Sequence, residues 1–165
     1  MPAKLTTLTD RRRLTPTEQK VAALIAAGST PRQAAETLGV SRPTVTDHLN
    51  RIGWKTHTTS HAARIHVVLA NGQIDPPMME RPAPDFTSAE LQLLRALAER
   101  SETVGIAAAS GVPLANVRPA LRSLRERAGA STDAHLVGLG HAWGLLGPAN
   151  QSGTAADTDA SSHQS

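Results

Sequence analysis

The chain has 165 residues, of which 39% are hydrophobic, 19% charged and none cysteine, with a formal charge of +3 at neutral pH. That length holds one ordinary domain or two very small ones. Without cysteine there are no disulfides, iron–sulfur clusters, thiolate zinc sites or thiol nucleophiles, and no apolar run approaches the roughly 18 residues of a membrane-spanning helix.

Charge is unevenly placed. Residues 1–74 hold ten Lys and Arg against four Asp and Glu, whereas residues 86–146 hold six against five. The first half therefore carries the positive field that a phosphate backbone would feel. The opening MPAKLTTLTDRRRL lacks the apolar core of a secretory signal, so a cytoplasmic, nucleoid-associated protein is expected.

Residues 1–13 read as a basic arm. Lys4, Arg11, Arg12 and Arg13 would track phosphate or enter a minor groove, or serve only as a solubilising run. A first unit spans residues 14–74. Thr15-Pro16-Thr17-Glu18 is a capping box with Pro at the first helical position, and Val21, Leu24 and Ile25 follow at helical spacing. Gly28 ends this helix. A second helix runs from about Pro31 to Leu38, and Gly39 supplies a tight turn of positive φ. Ser41 caps a third helix with inner positions Val45, Leu49 and Ile52, and Pro43 is tolerated in its first turn. Ser60 begins a fourth, which passes through Ile65 and Leu69 and is closed by Gly72.

DPPMMERPAPD at 75–85 reads as an extended Pro-rich linker, able to reach about 35 Å. A second unit follows at 86–146. Sliding the chain by 72 positions lays Leu14–Ile74 over Phe86–Leu146 without a gap, with about a dozen identities that include Thr87, Glu90, Gly111, Val117, Leu121 and Gly144. Most other positions keep apolar opposite apolar, the pattern that specifies a shared fold. Pro113 replaces the capping Ser, and Pro119 falls where the third helix should run. The expectation is a shortened helix capped by Asn116, with Pro119 in its first turn. The tail 147–165 is nearly devoid of bulky apolar residues and is expected to be disordered.

The run LTPTEQKVAALIAAGSTPRQAAETLGVSRPTVTDHLNRI at 14–52 resembles the DNA-binding domain of LuxR-type, or FixJ-type, transcription regulators. Leu14, Thr15, Glu18, Gly28, Ala35, Leu38, Gly39, Val40, Ser41, Thr44, Val45 and His48 carry the resemblance. No segment of comparable length alternates with period two, so the expected fold is all-α; with the internal repeat, the resemblance implies two tandem four-helix LuxR-type helix-turn-helix units, the second diverged, acting as a bacterial-type regulator.

In the resembling family, positions matching Thr46, Asp47 and Asn50 face base edges, and those matching Arg51 and Lys55 lie near the DNA backbone. Asn can bond adenine and Asp can accept from cytosine. Arg42 and Thr44 stand at a helix start where phosphate can be gripped. His48 matches the family histidine, with packing as its simpler role, and Asp47 could instead pair with Arg51. Arg118, Arg122 and Arg125 are the counterparts in the second unit, suited to guanine or phosphate, or to pairing of Arg122 with Glu126. Fourth helices of the family pair with a partner, which makes Val67 and Val68 candidates for a homodimer contact, with a purely core role as their simpler reading.

The expected function is sequence-specific binding of double-stranded DNA, read in the major groove by the third helix of each unit. The alternative is that the first unit binds DNA while the second is a protein–protein or dimerisation module, for example toward another regulator or RNA polymerase. DNA packaging without sequence preference is a third reading. No nucleophile, base and orienter constellation and no phosphate loop points to an enzyme, and no cofactor is implied. His57, His61 and His66 lack the spacing and partners of a metal site.

Overall fold

The computed structural model describes residues 13–146. The arm residues Lys4, Arg11 and Arg12 and the tail 147–165 lie outside the described residues. Among the described residues there are eight α-helices and no strand: α1 (Pro16–Ala26), α2 (Pro31–Leu38), α3 (Arg42–Thr56), α4 (His61–Ala70), α5 (Ser88–Glu99), α6 (Thr103–Ser110), α7 (Leu114–Ala128) and α8 (Asp133–Ala142). Starts at 16, 31, 42 and 61 are each followed by another 72 residues later, at 88, 103, 114 and 133.

Local chemistry explains most helix starts. Both bonds of the Thr15–Glu18 capping box form, and Thr87 and Glu90 make the same pair at α5. A third box joins Thr30 to Gln33 at α2, a start that its TPRQ spelling would have marked. Ser41, Ser60 and Thr132 each accept an amide of the first turn of α3, α4 and α8. Gly39 ends α2 at φ 70° with its amide turned back onto the helix, and Gly111 ends α6 at φ 76°. Gly39 is the pivot between α2 and α3, and Gly111 takes the same left-handed conformation between α6 and α7.

α7 departs from the expectation of a shortened helix. It begins at Leu114 after Pro113, matches the 15 residues of α3, and keeps Pro119 in its interior, so Asn116 is not its cap. Pro119 removes one amide and leaves the Ala115 carbonyl without a helical donor. Both residues are exposed, so water can take that carbonyl, and burial of Val117, Leu121 and Leu124 on the opposite face holds the helix together.

One apolar core runs through both halves of the chain, with Ile25, Ile52, Ile65, Leu94, Leu124 and Leu136 among its most buried members. The halves meet chiefly where α4 packs on α8, flanked by α1 against α8 and by α4 against α5. Exchanging each helix for the one 72 residues away maps this set of contacts onto itself, as an isologous interface does. Gly138 is required there, because any Cβ would press into the Ala26 carbonyl oxygen of α1. Ser131 Oγ donates to the Gly28 carbonyl at 2.9 Å, and the Thr59 amide donates to Ser101 Oγ at 3.3 Å. The face of α4 expected to meet a second chain is thus covered by α8 of the same chain, with Val68 fully buried.

The linker is non-helical but does not run free. Trp143 Nε1 donates to the Arg81 carbonyl at 3.1 Å, Pro77 lies against Gly138, and Met79 packs on the core. The separation of the halves is therefore set by the helix interface and not by the reach of residues 75–85.

At the centre of the interface, His66 Nδ1 and His141 Nε2 are 2.9 Å apart. Burial, then the neighbouring His66, lowers His141 from 6.5 to about 4. Burial also lowers His66, against an opposing pull from Glu99. The unfolded chain therefore binds protons between pH 6.5 and about 4 that the folded chain refuses, so stability is full above that window and declines as pH falls through it. Urea unfolding at pH 7 and pH 5 should show a lower midpoint at pH 5, and His141→Gln should reduce the difference, with the part due to burial of His61 and His135 remaining. An equal slope in both proteins would remove this pair as its source.

Candidate nucleic-acid interface

The outward face of α3 is polar and open. Thr46, Asp47, Asn50 and Arg51 are exposed, while Val45, Leu49, Ile52 and Gly53 on the other side are buried against α1, α2 and α4. The helical period alone forces this division, since positions 45, 49 and 52 fall on one stripe. Among the described residues Asp47 and Arg51 form no ion pair, nor do Arg122 and Glu126. Arg42 is exposed at the start of the helix. Thr44 is half-buried, and its hydroxyl lies 2.8 Å from that of the capping Ser41. His48 is half-buried, with its Nδ1 enclosed and unpartnered among the described residues, which places it against the helix pair rather than on the open face.

Lys55 makes contacts within the chain that local sequence does not announce. Its Nζ is 2.6 Å from Glu18 Oε1 and 3.1 Å from the Arg13 carbonyl. Two of the three ammonium donors are engaged in this way, so Lys55 has a structural role in the site. It ties the end of α3 to the start of α1, and Glu18, which also accepts from the Thr15 amide, is 1% exposed. The second half repeats the arrangement: Arg127 donates to Glu90 Oε1 at 3.1 Å and to the Asp85 carbonyl at 2.8 Å. Each residue of this second latch stands 72 positions after its counterpart.

Two residues beside the face escaped the sequence reading. Trp54 is 78% exposed one turn beyond Asn50, and its position in the series 46, 47, 50, 51, 54 is the signal that would have found it. Arg64 reaches from α4 across Gly53, where a Cβ would lie 2.7 Å from Nε. No local pattern announces that contact. Burial lowers the Arg64 pKa from its ordinary value, although a guanidinium still keeps its charge at neutral pH.

On α7, Arg118 and Arg122 are exposed, as are Ser123 and Glu126. Arg125 is drawn aside by an ion pair with Asp133 of α8, which leaves two of the three expected arginines on the open face. Around them the surface is less polar than on α2 and α3: Val104 and Leu114, both largely exposed, stand where the first half has Arg32 and Arg42. No helix among the described residues is long and apolar enough to cross a membrane, and no cluster of three potential metal ligands occurs among them.

Residues 12–68 match the family model of GerE, the bacterial regulatory proteins of the luxR family. The match covers α1 to α3 and most of α4, and suggests a DNA-binding transcription regulator with a helix-turn-helix. No curated protein and no solved structure matches the chain.

Lys55→Met leaves the Glu18 carboxylate buried without its cation. Breaking a fully buried pair costs about 3–5 kcal/mol. Lys55 is 22% exposed, so a loss of ~2–3 kcal/mol in urea unfolding is expected. Arg51→Met, on the open face, should lose less than about 0.5 kcal/mol. Equal losses would show that the latch carries no stability.

Proposed function

We propose that the chain is a site-specific double-stranded-DNA-binding transcription regulator in which α3 enters the major groove. The observation that carries this reading is the row Thr46, Asp47, Asn50 and Arg51, exposed and without an ion pair among the described residues, on a helix whose other face is locked into the core. Asn50 presents an amide suited to adenine, and Asp47 an acceptor for the cytosine amino group. A carboxylate in that row is repelled by phosphate, which favours base reading over a plain grip on the backbone. Arg51, Arg42 and the first-turn amides of α3 supply the backbone contacts, and the indole of Trp54 adds an apolar edge with one N–H donor.

In this reading the second half is a diverged copy of the first. The support is the recurrence of helix starts at 72 residues and the Glu90–Arg127 latch in the place of Glu18–Lys55. It occupies the position of a second protomer across the α4–α8 interface, with Arg118 and Arg122 as its DNA contacts. A second reading has an observation of its own: Val104 and Leu114 make this surface more apolar, which favours a protein-interaction module whose DNA contacts are lost.

A gel-shift series against a selected site separates the two. Asn50→Ala with Arg51→Ala is expected to weaken binding roughly 10- to 100-fold, as loss of a good base contact would. Arg118→Ala with Arg122→Ala should cost less. Equal or reversed losses would overturn the ranking, and no loss from the second pair would assign the second half to protein contact.

A further inference from the structure

A cavity of about 520 Å³ lies between the two halves, within the range of small-molecule sites. Its wall follows the internal symmetry. Ile25 and Leu97, Ser29 and Ser101, and Ser60 and Thr132 line it in pairs, each pair separated by 72 residues, so the cavity sits where the two halves exchange places. The pairing is not complete: Ile106, Val117 and Leu121 from the second half add an apolar side without first-half counterparts in the wall.

The charges at the cavity are one-sided. Arg100 and Arg118 belong to its wall, and the only carboxylate there, Asp133, is engaged by Arg125. Thr103, also in the wall, opens α6, the helix whose cap residue Glu102 makes no side-chain bond to the first-turn amides. His61 stands opposite Asp133 in the symmetric position, and burial and the nearby Arg64 lower its pKa, so it adds an uncharged ring at neutral pH. Two arginine side chains and a ring of hydroxyls at the edge of an apolar hollow recognise one kind of molecule.

We propose that this cavity is an effector site for a small organic anion with an apolar body. The anionic group meets Arg100 and Arg118, and the body lies on Ile106, Val117 and Leu121. Because the wall draws on both halves, a ligand seated there bridges them, and through Arg118 it competes with the DNA contact proposed above for the second half.

The probe is 1-anilinonaphthalene-8-sulfonate, with N-phenyl-1-naphthylamine as the same body without charge, titrated by fluorescence into the full chain. The anion is expected to bind saturably at one site, and the uncharged analogue at least roughly tenfold more weakly, the scale of a charge-assisted hydrogen bond. Arg100 is exposed, so Arg100→Glu spares the core. It should weaken the anion by a similar factor and leave the uncharged probe unchanged. Ser101→Trp, which fills the hollow, should abolish both. Equal affinity for the two probes would overturn the anion assignment. Binding that does not saturate at one site, or that survives both substitutions, would overturn the cavity as a site.

Discussion

The placement of α3 depends on one buried carboxylate. Glu18 accepts from the backbone at the start of α1 and from Lys55 at the end of α3, and the same ammonium reaches the Arg13 carbonyl. A carboxylate removed from water must be paired and hydrogen-bonded or it becomes a large penalty. Here its partners are a backbone amide at the start of α1 and an ammonium at the end of α3. Moving α3 by even one turn would strand the charge, so the helix end is fixed in a way that apolar packing alone, which tolerates sliding, does not provide.

The two halves use that device with different strictness. Glu90 is more exposed than Glu18, and Arg127 more exposed than Lys55, so the second latch works closer to water and constrains less. The same gradient runs through the surfaces. Where the first half has Arg32 and Arg42, the second shows Val104 and Leu114, and Pro119 lies inside α7. The first half keeps the sharper definition, and it is also the half with the basic surplus.

The helices of the first half could be read from the residues because their signals are local. Thr15–Glu18 and Ser41 are caps within one turn, and Gly39 is a turn that a side chain would strain. The exposed row on α3 followed from period 3.6. The course of α7 could not be read this way. A proline rule based on the lost hydrogen bond favoured a late start at Asn116, but burial of Val117, Leu121 and Leu124 outweighed it. Lys55 and Arg125 looked like free cations because their partners, Glu18 and Asp133, are remote or lie on another helix. The end of α3 was equally hidden, since His57 takes φ 56° where the other half has Gly129.

The joining of α4 to α8 within one chain changes how the molecule responds to its own abundance. Two separate chains meeting through such a surface would part on dilution, and occupancy of a two-part DNA site would rise steeply with their number. Here the eleven residues of the linker hold the partners at an effective concentration on the order of millimolar before any packing is counted. In the role proposed above, occupancy would follow protein level along a simple hyperbola from the first copy made.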